Sequence, residues 1–181
     1  MLETERLILR SLALSDAEAV ELYASDYDVA KYTTNIPHPY PKGSAVDFIQ
    51  ASLLKEKSGR LATFAITKKE NKQLIGLMGM EISPEHRHAE LGYWVGKPFW
   101  RKGYGTEAAK AVVDYGFRQL GLNKIYACAV RENRGSWRIM EKVGMTYEGM
   151  QKQHFFRFGR YIDLVHYGIL REDYEKTPQN N

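Results

Sequence analysis

Gly92-Tyr-Trp-Val95 runs without a break into Gly96-Lys-Pro-Phe-Trp-Arg-Lys-Gly-Tyr-Gly-Thr-Glu107. The first four residues close an alternating, strand-like segment over 89–95. The middle is a loop rich in glycine and positive charge. The end opens the longest helical pattern in the chain, 103–120. Gly103 and Gly105 let the backbone turn tightly and come close to a ligand. The first N–H groups of a helix have no internal acceptor, and the helix dipole is positive there. Such a loop is a ready site for a phosphate or pyrophosphate, and Arg101 and Lys102 add charge to it. The pattern is also compatible with a plain tight turn. It lacks the third glycine of a dinucleotide fingerprint and the Gly-Lys-Ser/Thr of a P-loop.

The helix that follows has a buried stripe at Tyr104, Ala108, Ala111, Val112 and Tyr115, and Gly121 stops it. Upstream, segments 61–67, 74–82 and 89–95 alternate with period two and are joined by short polar turns, which predicts an antiparallel meander. Downstream, 125–130 is apolar on both faces, as expected of a central strand covered on both sides. A short helix is predicted over 134–143, capped by Asn133 and closed by Gly144, followed by strands at 145–151 and 161–170. At the front, 6–10 reads as a strand. Ser15 and Glu18 form a capping box for a helix to about Ala24, and Ser44 caps a second helix. Between these helices Asn35-Ile-Pro-His-Pro-Tyr-Pro41 cannot be regular. The order β, α, α, β, β, β, α, β, α, β, β predicts an α/β fold: a mixed, mostly antiparallel twisted sheet with helices on both faces.

The chain has 181 residues, 44% hydrophobic and 12% aromatic, which suits one domain with its own core and excludes a disordered chain. That domain is expected over 1–175, with a flexible tail at 176–181. A single cysteine, Cys128, excludes a disulfide framework and a multi-cysteine metal site. No long apolar run or apolar leader is present, so the expectation is a cytoplasmic protein with no membrane partner. Net charge is +4, from 26 basic and 22 acidic residues. The excess gathers at 97–102, 131–142 and 152–160 rather than along one helix, which argues for a small polyanionic ligand and against nucleic acid.

A second constellation is Asn133-Arg-Gly-Ser136, just past the strand at 125–130. Asn133 is an ideal N-cap. Ser136 would sit near the C-terminal mouth of that strand, where α/β folds bind ligands.

With these residues the chain resembles the GNAT superfamily of acyl-CoA-dependent N-acetyltransferases, and more closely its RimJ/RimL-type branch. The resemblance is carried by Thr4-Glu-Arg-Leu-Ile-Leu-Arg10, Phe64-Ala-Ile66, Leu74-Ile-Gly76, Ala89-Glu-Leu-Gly-Tyr-Trp94, Gly103-Tyr-Gly-Thr-Glu107, Asn133 with Ser136, and Glu141-Lys-Val-Gly-Met145 with Glu148-Gly149. It implies an acetyl-CoA site built on a splayed pair of strands. Tyr93, Trp94 and Val95 would contact the pantetheine arm through their backbone. Trp100, Arg101, Lys102, Gly103, Tyr104, Gly105 and Thr106 would hold the pyrophosphate, Asn133 the pantetheine end, and Ser136 would lie by the thioester sulfur. Trp100 stands where the wider superfamily has Gln or Arg. Met140 stands where it often has a tyrosine acid, which leaves Ser136 as the hydroxyl for the sulfur.

The implied reaction is direct attack of a primary amine on acetyl-CoA in a ternary complex. It needs a neutral amine, a polarised carbonyl and a stabilised leaving thiolate. Cys128 is expected to be a small buried hydrophobe, not a nucleophile. Glu90 and His154 are the candidate bases. His154 precedes Phe155, where close relatives carry a glutamate. His38, Tyr40 and Glu90 are candidates to line the amine pocket. At pH 7, neutralising an α-amine of pKa ~8 costs ~1.4 kcal/mol against ~4.6 for a lysine amine of pKa ~10.4, so a site without a strong base favours protein N-termini, such as those of ribosomal proteins, or weakly basic small amines. The competing reading is a non-catalytic acetyl-CoA-binding regulatory module on the same fold. A monomer and a homodimer are both compatible with the sequence.

Overall fold

The computed structural model describes residues 1–176. Among the described residues eight strands form one sheet in the order β1-β2-β3-β4-β5-β6-β8-β7. They are β1 (Leu2–Glu3), β2 (Leu7–Ser11), β3 (Leu61–Lys68), β4 (Leu74–Ser83), β5 (His88–Val95), β6 (Lys124–Val130), β7 (Thr146–Arg157) and β8 (Arg160–Leu170). The helices are α1 (Ala17–Ala24), α2 (Tyr27–Ala30), α3 (Ser44–Lys57), α4 (Tyr104–Arg118), α5 (Arg134–Lys142) and α6 (Arg171–Lys176). Every predicted element is present. β1, α2 and α6 were not legible, being two, four and six residues long. Lys176, placed in the tail by composition, closes α6, and 177–181 lie outside the described residues.

Helices cover both faces of the sheet. On one face α4 and α5 bury Ala108, Val112, Phe117 and Met140 against Leu7, Ile66, Met80, Ile125 and Ala127. On the other, α1 and α3 bury Val20, Ala45 and Ile49 against Leu12, Ala65, Leu74 and Leu77. Each Val, Leu, Ile, Phe or Met among these contributes about 1.5–3 kcal/mol when fully buried, and the alanines let helix and sheet approach closely.

Local chemistry differs from expectation at three places. Helix α1 is entered through a short 3-10 turn over Leu14–Asp16, and the carboxylate that caps this entry is Asp16; Glu18 lies in the first turn of α1 and makes no capping box with Ser15. Asp16 accepts the Ala13 N–H at 2.9 Å and pairs with Arg10. The residue before α3 is Gly43, at φ +86°, so Ser44 lies inside the helix and does not cap it. Strands β7 and β8 meet at a tight turn at Arg157↔Arg160; β7 runs well past its predicted end at 151, whereas β8 matches its predicted span to within one residue. Their pairing skips between Gln151 and Phe155, and the polar run Lys152-Gln153-His154 that hid the strand fills that irregularity.

Strand β6 corrects a further expectation. Ile125, Ala127 and Ala129 are buried under α4 and α5, but Lys124, Tyr126 and Cys128 on the opposite face are only half-buried. The apolar run reflects one covered face and one partly open face.

Candidate active site

The sheet changes hand of pairing at its centre. β4 and β5 pair antiparallel as far as Gly76↔Val95. β5 and β6 pair parallel over only three positions, ending at Glu90↔Tyr126. β6 continues alongside β8 to Val130↔Leu164. Residues 91–95 and 127–130 therefore diverge and leave a wedge in the middle of the sheet. Backbone groups facing a wedge have no ladder partner and are open to an extended polar ligand.

The glycine loop sits at the end of β5. A 3-10 turn over Lys97–Phe99 leads to Trp100, whose indole Nε1 donates to the Val95 carbonyl at 2.6 Å. Arg101 has φ +62° and Gly103 φ +82°, so the chain winds through two left-handed residues before α4 starts. Among the described residues, none of the N–H groups of 101–106 meets an acceptor. Six successive free donors at the positive end of a 15-residue helix are the kind of cradle in which an anion can be held. Arg101 and Lys102 are exposed beside it. Gly105 has a packing reason as well: a Cβ there would lie 2.8 Å from Ile139 Cδ1 of α5.

Alternation along β5 sends neighbouring side chains to opposite faces. Tyr93 points towards α5, where its hydroxyl lies 2.9 Å from both the Ser136 carbonyl and the Ser136 Oγ. Burial pushes the Tyr93 phenol well above its ordinary range, against a smaller downward pull from Ser136, so it is protonated at neutral pH. Ser136 is held there by the start of α5, where Asn133 Oδ1 accepts the Ser136 N–H at 3.2 Å. Asn133 is thus the helix cap, as expected. Met140 is 1% exposed and belongs to the core.

Glu90 points to the other face. Its Oε1 accepts from the Cys128 thiol at 3.3 Å, with Tyr126 beside it across the strand pair. Burial, and then the Glu90 charge and hydrogen bond, push the Cys128 thiol up to about 12. Burial and the same carboxylate push the Tyr126 phenol up. Cys128 is half-buried rather than fully interior.

That face is enclosed by the tip of the β7–β8 hairpin and the loop 31–43. Tyr32, Cys128 and Phe155 pack against Val130, Ile162 and Leu164. Arg157 donates to the carbonyls of Thr33 at 2.7 Å and Ile36 at 2.5 Å, fastening the proline loop to the hairpin. His38 lies at the outer end, its ring 5.1 Å from Tyr27 and 6.4 Å from Phe158. Tyr40 turns the other way, into the cluster of α1, α3 and Trp94. His154 is exposed and edge-on to Phe155 at 4.9 Å.

The sequence-predicted residues thus separate. Tyr93 and Ser136 meet on the α5 side of the wedge. Glu90 lies on the opposite face with Cys128 and Tyr126, while His38, Tyr40 and His154 stand in three different surroundings. Sequence reasoning missed the hydroxyl of Tyr93 as the partner of Ser136. The signal was strand parity: Tyr93 is three residues from Glu90 and so faces the other way. It also missed Arg6, which reaches the glycine loop from just before β2.

A family model described as an acetyltransferase (GNAT) domain matches residues 6–146. An uncharacterized N-acetyltransferase of Bacillus subtilis, YoaA, is 35% identical over 174 residues, covering 94% of this chain and 97% of its own length. The spermidine N(1)-acetyltransferase of Escherichia coli K12 is 35% identical over 102 residues, 55% of each chain. The structure of spermidine N-acetyltransferase from Vibrio cholerae with CoA and spermine has a TM-score of 0.83 and 26% identity, covering 96% of this chain and 100% of that one. Among the described residues, no helix is long and apolar enough to cross a membrane.

Proposed function

We propose an acceptor class and residue roles from one premise: this chain belongs to the acetyltransferase (GNAT) family and is an acetyl-CoA-dependent N-acetyltransferase acting on amines. Acetyl-CoA is its co-substrate. The observation that carries the assignment is the wedge between β5 and β6, with free N–H groups at 101–106 on one end and Glu90 and Ser136 on opposite faces. The pyrophosphate lies on the backbone of 101–106, and Arg101 and Lys102 contribute charge. The pantetheine arm runs along 93–95, with Asn133 at its far end. The thioester is placed in the wedge with its sulfur towards Ser136.

The amine enters from the face of Glu90, between the hairpin tip and the proline loop. Its nitrogen attacks the thioester carbonyl directly. The amine proton leaves to Glu90, the C–S bond breaks, and the departing thiolate is stabilised by a hydrogen bond from the Ser136 hydroxyl; the proton on Glu90 and the thiolate then equilibrate with solvent. Holding both partners in one wedge supplies much of the rate. An acetyl-cysteine intermediate is disfavoured, because a thiol with a pKa of about 12 is about one part in 10⁵ thiolate at pH 7.

The acceptor is a primary amine, either a protein N-terminal α-amine or a small amine. The ~1.4 kcal/mol needed to neutralise an α-amine, against ~4.6 for a lysine-like amine, favours the first with a lone carboxylate as base. The likeness to spermidine acetyltransferases supports the second. A cytoplasmic setting belongs to the same proposal. The test is to incubate the protein with acetyl-CoA and a panel containing an N-terminal peptide, spermidine and a lysine side-chain peptide, and to follow thiol release. Release that depends on one amine class names the acceptor. Acetyl-CoA binding without release on any amine would leave the non-catalytic reading in its place.

A further inference from the structure

We propose that Tyr93 is a positioning residue that switches the Ser136 hydroxyl between a stored and a donating state. This rests on the assignment of Ser136 to the sulfur. Tyr93 Oη has one hydrogen and can also accept; so has Ser136 Oγ. Tyr93 Oη lies 2.9 Å from the Ser136 carbonyl and 2.9 Å from Ser136 Oγ. When the Tyr93 O–H donates to the carbonyl, the serine O–H donates back to Tyr93 Oη and is tied up. When the Tyr93 O–H donates to Oγ instead, the serine proton is released to point elsewhere. The two arrangements differ only by rotation of two hydroxyl hydrogens, and no heavy atom moves.

Negative charge developing on the departing sulfur favours the second arrangement. A donor aimed at Oγ also polarises the serine O–H and strengthens its hydrogen bond onward. Burial keeps Tyr93 protonated throughout, so the proton is always present to be redirected. Met140, on α5, is packed in the core, and the hydroxyl within reach of Ser136 Oγ comes from Tyr93 on β5.

The test is a double-mutant cycle on the full chain with acetyl-CoA and its best amine. Tyr93→Phe keeps the ring, and Ser136→Ala removes the hydroxyl it orients. Each is expected to lower kcat about 10-fold, the worth of one hydrogen bond lost from the transition state, with acetyl-CoA Kd within about two-fold. The double variant is expected to be no slower than the singles, because the pair acts as a unit. Losses that multiply would overturn the switch, as would an unchanged kcat in Tyr93→Phe or a change confined to Kd. A slow Tyr93→Phe with a normal Ser136→Ala would overturn both the switch and the role given to Ser136. Should Tyr93→Phe melt early, 3-fluorotyrosine at position 93, a stronger donor of nearly the same shape, is expected to hold or raise kcat; a fall would count against the proposal. Absence of thiol release in the unaltered protein is a separate outcome that strikes the enzymatic reading itself.

Discussion

The guanidinium of Arg6 and the carboxylate of Glu107 meet at 2.7 Å across a hundred residues of chain, joining the segment just before β2 to the first turn of α4. Glu107 also accepts from Thr4 Oγ1 at 2.5 Å and from the Arg6 N–H at 2.8 Å. Arg6 in turn donates to the Lys102 carbonyl at 2.9 Å and lies 4.6 Å over the Tyr104 ring. In a trans peptide the carbonyl and the next N–H point in opposite directions. Fixing the Lys102 carbonyl on Arg6 therefore aims the Gly103 N–H away from it, to the free side of the loop. Arg6→Ala is expected to weaken acetyl-CoA binding about 5- to 10-fold, with kcat at saturation nearly unchanged, since the pair is partly exposed and modest in energy. Calorimetry with acetyl-CoA checks this, and an unchanged Kd in the folded variant would count against a bracing role.

Gly103 and Gly105 fail under substitution for different reasons. At φ +82° a side chain on Gly103 carries a left-handed penalty of about 1–2 kcal/mol, and its Cβ would stand 3.2 Å from Arg6 Nη2. Gly105 has no conformational demand, but its Cβ would lie 2.8 Å from Ile139 Cδ1. Gly103→Val is expected to displace the loop locally. Gly105→Val is expected to push α5, and Ser136 with it, so that it lowers kcat as well as affinity. Circular dichroism and calorimetry on both variants, with steady-state rates, separate the two effects.

The base is read from the pH–rate profile. Glu90→Gln keeps the shape of the carboxylate and removes its titration. If Glu90 takes the amine proton, the acid limb of kcat/KM flattens in this variant and survives in His154→Gln. A limb lost only in His154→Gln would transfer the role to His154 in spite of its exposed position. A limb present in both variants and moving with the pKa of the amine would mean that the site selects neutral amine and relies on positioning.

Cys128 gives an independent check on Glu90. With a pKa of about 12 against an ordinary 9.0, its alkylation in the native protein at pH 8 is expected to be about a thousandfold slower than in the unfolded chain. Glu90→Gln removes the charge that adds to burial, so it should quicken that reaction. Cys128→Ala is expected to retain the transfer rate within about two-fold, whereas loss of activity would reopen a covalent route.

Acid stability has a named contributor. Hydrogen bonds from Lys31 and Lys97, each at 2.5 Å, lower the Asp28 carboxyl from 3.8 to about 2. A group depressed in the folded state stabilises fully above its unfolded pKa, and that contribution disappears as pH falls through the folded value. The window for Asp28 is therefore from about pH 4 down to about pH 2. Glu107 is also held below its ordinary range, burial pushing it up and bonds from Thr4 and Arg6 pulling it down further. Asp28→Asn is thus expected to flatten part, not all, of the stability loss in that window, as followed by thermal melting from pH 5 to pH 2.

The meander β3–β5, the long helix α4 and the cap Asn133 could be read along the chain because each rests on local rules: period two, period 3.6, and one side-chain oxygen near a free N–H. The glycine loop was legible for the same reason. Its free donors at 103–106 follow from helix geometry, whatever the helix packs against. The divergence of β5 from β6 was implied by the family resemblance but follows from no local rule, since it depends on where the pairing of residues 36 apart in the chain, such as Glu90↔Tyr126, comes to an end. The pairing of Tyr93 with Ser136, of Cys128 with Glu90, or of Arg6 with Glu107 could not be read, for these are contacts between elements that only the closed sheet brings together. Composition alone made β6 a doubly covered strand; the hairpin tip and the proline loop leave one of its faces partly open. The anion cradle thus follows from local backbone rules, whereas which side chain faces which side of the wedge is set by long-range packing.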